Sequence, residues 1–302
     1  MTAHGPLVTT DWLAENLHDP AVVVLDATVL PVVADGSLTW GSGRAQFEDA
    51  HIPGALFADI IEEFSDPTGE FAFTRPGAAQ FAAAASAHGI GADTTVVVSD
   101  ASVGNWAARL WWLFRSFGHE SVVVLDGGLT KWRSEGRQVE SGGAGVVSGV
   151  GTGEPVARKR AAPSTVFVPA QRSGFWADMS DVRAVVDGHA QATLICGLAP
   201  AEFSGASGFR ARRGHIPGSV NIPAGRLVSR ETNAFLPPEG LRILFADTLA
   251  SPDPIITYCG GGIAAASDAL ALALLGRDDV RIYDGSLNEW AADADAPLVV
   301  TA

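Results

Sequence analysis

The sequence predicts an α/β protein made of two similar units, each a mainly parallel sheet flanked by helices. Three observations carry that expectation. Short β-branched runs alternate with apolar stretches at helical spacing, the pattern of a parallel sheet buried on both faces. A set of motifs occurs twice, about 160 residues apart. A chain of 302 residues with 47% hydrophobic and 18% charged content is long and apolar enough for two full cores.

In the first half, Val22–Asp26 and residues 96–99 and 122–126 read as buried strands. Residues 105–117, rich in Trp and Leu at helical spacing, read as the helix between the last two. In the second half, Thr193–Cys196, Ile255–Tyr258 and Val280–Tyr283 read as strands and residues 263–275 as a helix. The repeat ties the halves together. His51-Ile52-Pro53-Gly54-Ala55 recurs as His215-Ile216-Pro217-Gly218-Ser219, and Val96-Val97-Val98-Ser99-Asp100 aligns with Ile255-Ile256-Thr257-Tyr258-Cys259. Asp126-Gly127-Gly128 with Trp132 matches Asp284-Gly285-Ser286 with Trp290. The offsets of these blocks and their strands are 164, 159 and 158 residues, too long for a solenoid and consistent with one duplicated domain. Residues 140–162 are rich in Gly, Ala and Ser, with Arg158-Lys159-Arg160 near the end, and read as a linker. The expected domains are therefore 1–141 and 164–302, joined by 142–163.

Composition narrows the function. A net charge of −14 argues against nucleic acid or an anionic membrane as partner. There is no apolar run near the roughly 20 residues of a membrane span, and the first residues show no secretory pattern. Two cysteines exclude a disulfide framework and fit a reducing cytoplasm. No Cys/His cluster has zinc spacing and no phosphate-binding glycine loop with Lys is present, so neither metal nor cofactor is expected.

The most informative stretch runs from Ile255 to Ala266: a β-branched run, a lone cysteine, three glycines, then an apolar helical pattern. Read physically, Cys259 stands at a strand-to-helix turn. Glycines let the backbone aim N–H groups inward, and a helix N-terminus favours negative charge, so the pattern points to an activated thiolate nucleophile. Cys196 ends a strand in an apolar run and reads as core, with a resolving thiol as the minority reading. His51 and His215 recur in a Pro-Gly context although only one half has Cys259, which marks them as structural. Trp106, Trp111 and Trp112 read as packing.

With these residues together, the chain resembles the two-domain rhodanese-type sulfurtransferases, the family of thiosulfate and 3-mercaptopyruvate sulfurtransferases. His-Ile-Pro-Gly in both halves, Trp111-Trp112 before Phe117-Gly118-His119, Asp126-Gly127-Gly128 with Trp132, and the cysteine loop all fit. The resemblance implies two rhodanese-like domains facing each other across a cleft that contains Cys259. It implies a first domain without a nucleophile, in keeping with Asp100 at the cysteine's equivalent position. It also implies ping-pong chemistry: Cys259 takes a sulfane sulfur from a small donor as a persulfide, and a thiol or cyanide acceptor removes it. Gly260, Gly261, Gly262, Ile263 and Ala264 would cradle that sulfur with backbone N–H groups.

The departures from the family bear on the donor. Thiosulfate-type loops resemble C-R-K-G-V-T and mercaptopyruvate-type loops C-G-S-G-V-T. Here Gly260 matches the second form, Gly261 replaces its serine, and Ala264 stands where both have threonine. The family's Asp-x-Arg after the second domain's first strand reads Cys196-Gly197-Leu198, and Glu202 occupies the region of a further family arginine. Asp59 matches a family Asp, but Phe73 sits where a His would align, so the family's Ser-His-Asp relay is absent. Arg210, in the run Arg210-Ala211-Arg212-Arg213, is the first candidate for the donor's anion, with Arg75 second and Asp59 as a further lining residue. The donor leans towards 3-mercaptopyruvate over thiosulfate, with a small-thiol persulfide also open. A persulfide carrier serving a partner protein is the main alternative. A cysteine-loop phosphatase would need a longer loop with an Arg at its helical end, and a non-catalytic regulator would not need the intact loop.

Overall fold

A computed structural model of the chain describes residues 5–34, 37–143 and 166–301. The chain divides into two compact units, each taking a short strap from the other half of the sequence. The first comprises Met1–Pro67, Pro76–Gln171 and Arg230–Ala234; the second comprises Thr68–Arg75, Arg172–Ser229 and Phe235–Ala302. Residues just after the expected linker pack on the first unit, where Phe167 N–H donates to Ser86 Oγ at 2.9 Å and Ala170 N–H to Phe117 O at 2.9 Å. Most of the expected linker, including Arg158-Lys159-Arg160, lies outside the described residues.

The first unit runs β1 (Leu7–Val8), α1 (Thr10–Asn16), β2 (Val22–Asp26), β3 (Val29–Ala34), β4 (Ser37–Ser42), α2 (Arg44–Asp49), β5 (Leu56–Phe57), α3 (Ala78–Ala87), β6 (Thr95–Ser99), α4 (Asn105–Ser116), β7 (Val122–Leu125) and α5 (Gly128–Ser134). Its sheet has the order β1-β7-β6-β2-β5 with every pair parallel, and β3 and β4 form a separate antiparallel pair. The valine runs of β2, β6 and β7 are buried on both faces, as continuous apolar strands in a helix-covered sheet should be. Trp106, Trp111 and Trp112 are buried along α4.

The second unit repeats the plan with β8 (Trp176–Ala177), α6 (Met179–Val186), β9 (Thr193–Cys196), α7 (Pro200–Phe203), β10 (Val220–Asn221), α8 (Pro238–Leu244), α9 (Ala246–Ala250), β11 (Ile255–Tyr258), α10 (Ala264–Leu274), β12 (Val280–Tyr283) and α11 (Ser286–Ala292). Its sheet order, β10-β9-β11-β12-β8, is the first sheet read from the other edge, again all parallel. The repeated side chains do the same work twice. His51 Nδ1 bonds Phe47 O at 2.7 Å with its ring stacked on Phe47; His215 Nδ1 bonds Phe203 O at 2.8 Å with its ring stacked on Phe203. Trp132 Nε1 donates to Gln138 O and Trp290 Nε1 to Pro297 O. The recurring histidines and tryptophans are thus explained by packing.

Asp26 closes β2 and is buried, with Oδ1 accepting the Thr28 N–H at 3.0 Å. Burial outweighs that bond and pushes its carboxyl up to about 6.

Candidate active site

Cys259 follows β11 directly, and Gly260 to Ile263 lead into α10. The thiol residue is 3% exposed. Gly262 takes a φ of +79°, a left-handed conformation that glycine adopts without strain, at the point where the loop meets the helix. The loop's carbonyls are tied to α11: Leu287 N–H donates to Cys259 O at 3.1 Å and Asn288 N–H to Gly260 O at 2.9 Å. Cys259 N–H donates to Ser286 Oγ at 3.1 Å, and Ser286 Oγ donates to Tyr283 O at 2.8 Å. Among the described residues, the N–H groups of Gly260 through Ala265 meet no hydrogen-bond acceptor, and α10 has no side-chain cap. Open donors of this kind at a helix N-terminus form an anion site.

The first unit shows what such a loop does with an anion. Asp100 stands at the end of β6 as Cys259 does at the end of β11. Its Oδ1 accepts the Ser102 and Gly104 N–H groups at 2.8 and 3.0 Å and the Ser102 hydroxyl at 3.0 Å. Its Oδ2 accepts the Trp106 and Ala107 N–H groups at 3.1 and 3.0 Å. Four backbone donors and a hydroxyl therefore converge on one negative group. In the second unit the counterparts of Ser102, Gly104 and Trp106 are Gly261, Ile263 and Ala265, whose N–H groups are open. One copy of the cradle is filled by its own side chain; in the other these three N–H groups are open.

Beside the second cradle stands Arg210. A Cβ built on Gly260 would lie 2.4 Å from Arg210 Nη2, so the missing side chain is what lets the guanidinium reach the loop. Arg210 Nε donates to Asn288 Oδ1 at 3.1 Å, and Nη1 lies 3.8 Å from Glu202 Oε1. Arg212 is committed elsewhere, to the carbonyls of Asp293 and Ala296. The strap Thr68–Arg75 also passes the loop: a Cβ on Gly261 would lie 3.1 Å from Asn288 Nδ2 and 3.5 Å from Ala72 O. Arg75 itself is exposed, donates its N–H to Asp284 Oδ2 at 2.9 Å and lays its guanidinium over Trp176. Asp59 belongs to the first unit. Its Oδ2 accepts the Ser42 hydroxyl at 2.8 Å, and its Oδ1 accepts the Ile61 and Glu62 N–H groups at 3.0 and 3.2 Å. Of the expected binding side chains, then, Arg210 is the one brought against the cysteine loop.

Three features of this site did not emerge from the sequence. Ser286 and Asn288 on α11 anchor the loop. Ser286 does so at φ +51°, in the backbone shape its counterpart Gly128 holds at +54°. The replacement of Gly by Ser within an otherwise repeated Asp-Gly-Gly was the available signal, since a side chain there carries a strain cost. Phe73, which the sequence singled out only for standing where a His would align, also has a left-handed φ of +65° and is buried, and that backbone shape is the part the sequence did not show. Below the loop, Asp268 on α10 is fully buried with neither carboxyl oxygen hydrogen-bonded, and burial pushes its carboxyl well above the ordinary range. A Cβ on Gly197 would lie 2.6 Å from Asp268 Oδ2, so the Gly197 of the altered Cys196-Gly197-Leu198 makes room for it. Cys196 is buried at the end of β9, and burial pushes its thiol up to about 12, which makes it a poor nucleophile.

A doubled parallel α/β unit with a cysteine at one copy of its strand-to-helix loop and an aspartate at the other defines a class: two-domain proteins of the rhodanese-like kind. The rhodanese-like domain family matches residues 9–135 and 181–293. The chain is 36% identical to the mitochondrial thiosulfate/3-mercaptopyruvate sulfurtransferase 1 of Arabidopsis thaliana, over 97% of this chain and 78% of that protein. It is 36% identical to human 3-mercaptopyruvate sulfurtransferase, over 94% of this chain and 91% of that one. The crystal structure of the Escherichia coli 3-mercaptopyruvate sulfotransferase SseA superposes with a TM-score of 0.76 at 31% identity, covering 93% of this chain and 98% of its own. The chain belongs to the rhodanese-like family and is an enzyme of its sulfurtransferase type.

Proposed function

We propose that this enzyme moves a sulfane sulfur from a small donor, 3-mercaptopyruvate or thiosulfate, to a thiol or cyanide acceptor through a persulfide on Cys259. The observation that carries the reading is the paired cradle. In the first unit Asp100 accepts five hydrogen bonds from its loop. The same loop around Cys259 leaves the N–H groups of Gly261, Ile263 and Ala265 open for the outer sulfur of a persulfide anion, while Ala266 N–H, the counterpart of that of Ala107, donates to Ile263 O at 3.0 Å. Gly260, Gly261, Gly262, Ile263 and Ala264 form that cradle, and Arg210 meets the donor's anionic group. Arg75 is the second cation of the same unit. The names of the human and Escherichia coli relatives favour 3-mercaptopyruvate as donor.

No helix among the described residues is long and apolar enough to cross a membrane. The two cysteines are unpaired and suit a reducing compartment, for which we propose the cytoplasm.

The test is intact-mass spectrometry of wild type and Cys259→Ser after separate incubation with thiosulfate and 3-mercaptopyruvate, followed by cyanide. The expected result is a gain of about 32 Da that needs Cys259 and is lost to cyanide, as covalent catalysis requires. A stable adduct that neither cyanide nor thiols remove would favour the persulfide-carrier reading. No adduct would overturn sulfur transfer from these donors.

A further inference from the structure

We infer that the donor subsite beside Cys259 accepts a zwitterion as well as an anion, and that among hydropersulfide donors it prefers that of an α-amino acid, of the cysteine persulfide kind. The inference rests on the sulfur-transfer reading above. Its observations are the charges that border the loop. Arg210 is the cation brought against Gly260, and it arrives with an acid: Glu202 on α7 faces Arg210 Nη1 at 3.8 Å. That separation is an ion pair but not a hydrogen bond, so the two groups attract without closing on each other. Both are part-exposed, at 24% for Arg210 and 30% for Glu202, and so remain accessible to a ligand. Arg210 is also held in place from behind, by Nε donating to Asn288 Oδ1 while Asn288 N–H holds Gly260 O.

Thiosulfate or 3-mercaptopyruvate answers the charge of Arg210 and leaves that of Glu202 unanswered. An α-amino acid carries a carboxylate and an ammonium on one carbon, the same pairing of opposite charges that Arg210 and Glu202 present. Its carboxylate bonds the guanidinium while its ammonium takes the place of Arg210 Nη1 opposite Glu202. The loop itself adds only uncharged backbone donors, so these two side chains set the charge preference.

The transfer step balances without another reactant. The Cys259 thiolate attacks the outer sulfur of R–S–SH, and the new S–S bond forms at Cys259 Sγ. The bond between the donor's inner and outer sulfurs breaks, and R–S⁻ leaves with the electron pair. The hydrogen stays on the transferred sulfur, which keeps its oxidation level.

The experiment compares initial rates of Cys259 loading, read by intact mass, in the full-length chain. The donors are the hydropersulfides of cysteine, 3-mercaptopropionate and cysteamine, each prepared from its disulfide and sulfide and matched in titre. 3-Mercaptopropionate lacks the ammonium and cysteamine lacks the carboxylate. Wild type should load fastest from cysteine hydropersulfide. Glu202→Gln should cut the ratio of the cysteine to the 3-mercaptopropionate rate by about fivefold, the upper range for one part-exposed charge pair. Glu202→Asp should restore part of it. Because each variant's rate on the amine-free donor is its own reference, a loss of folded protein does not alter the ratio. Equal rates from the cysteine and 3-mercaptopropionate donors in wild type, or an unchanged ratio in Glu202→Gln, would overturn the zwitterion inference and leave sulfur transfer standing. Failure of every donor, thiosulfate and 3-mercaptopyruvate included, to load Cys259 would overturn both.

Discussion

Asp26→Asn should make the chain more stable at neutral pH, by an amount that grows with pH. Burial raises the Asp26 carboxyl from 3.8 to about 6. The folded chain thus holds this proton over a range in which the unfolded chain has released it. The stabilising contribution is fully present below 3.8 and is lost as pH rises to about 6, after which the curve is flat. The interval is about two units wide at about 1.4 kcal/mol each, so the whole loss is about 3 kcal/mol. About half of it, roughly 1.4 kcal/mol, falls between about pH 5 and about pH 7.5, where both proteins can be handled. Asparagine keeps an oxygen for the Thr28 N–H and does not titrate. Urea unfolding of both proteins at several pH values, followed by tryptophan fluorescence, gives the difference directly, because every other titrating group is common to the pair. A stability difference that stays constant across that range would refute the claim that Asp26 is a carboxyl neutralised by burial.

The same reasoning applied to Asp268, buried with both oxygens unpaired, predicts that Asp268→Ala is stabilising by about 1–3 kcal/mol near neutral pH and flattens the decline of stability with rising pH. Equal stability and an unchanged slope in thermal unfolding would count against it. Ser286→Ala removes the acceptor of the Cys259 N–H and should slow persulfide loading while costing about 1–3 kcal/mol of stability; rapid-quench mass spectrometry and urea unfolding read the two effects. Gly260→Ala places a Cβ 2.4 Å from the present position of Arg210 Nη2 and displaces the guanidinium, so KM for anionic donors should rise with little change in Tm. Arg210→Leu should raise the same KM about tenfold or more, the loss expected for a charge-assisted contact, and steady-state kinetics with either donor checks both variants.

Much of the fold was legible because its signals are periodic. The valine runs of β2, β6 and β7 and the apolar stretches of β9, β11 and β12 lie where the sequence placed them, within a residue at the ends. The repeat implied that the two sheets share one order, but not what that order is. The β3–β4 pair was not read, although Asp35-Gly36 between Val29–Ala34 and Ser37–Ser42 is a hairpin signal in the sequence. The two-residue edge strands β1, β5, β8 and β10 carry no periodicity and depend on their neighbours for register. At the site, Cys259 and its glycines stand out in one dimension because backbone geometry demands glycine locally. The reach of Arg210 across 50 residues to Gly260 and that of Asn288 across 28 are tertiary facts, and no local rule selects Arg210 over Arg212 or Arg213. Asp268 reads in sequence as a polar interruption of an apolar helix, and its isolation is visible only once Gly197 is seen beneath it.

The straps exchanged between the halves bear on how the protein is made. The first unit is incomplete until Arg230–Ala234 arrive, where Asn233 Nδ2 donates to Ser102 O at 2.6 Å and to Thr130 Oγ1 at 3.1 Å. Those five residues leave the ribosome roughly 60 residues after Gln171, a delay of roughly 3–12 s at ordinary elongation rates. During that time the loop that holds Asp100 lacks its latch. The strap Thr68–Arg75, conversely, is synthesised early and waits for a partner whose cysteine loop comes nearly 200 residues later. Translation therefore leaves each nascent half with an unsatisfied segment, and only the finished polypeptide can close both.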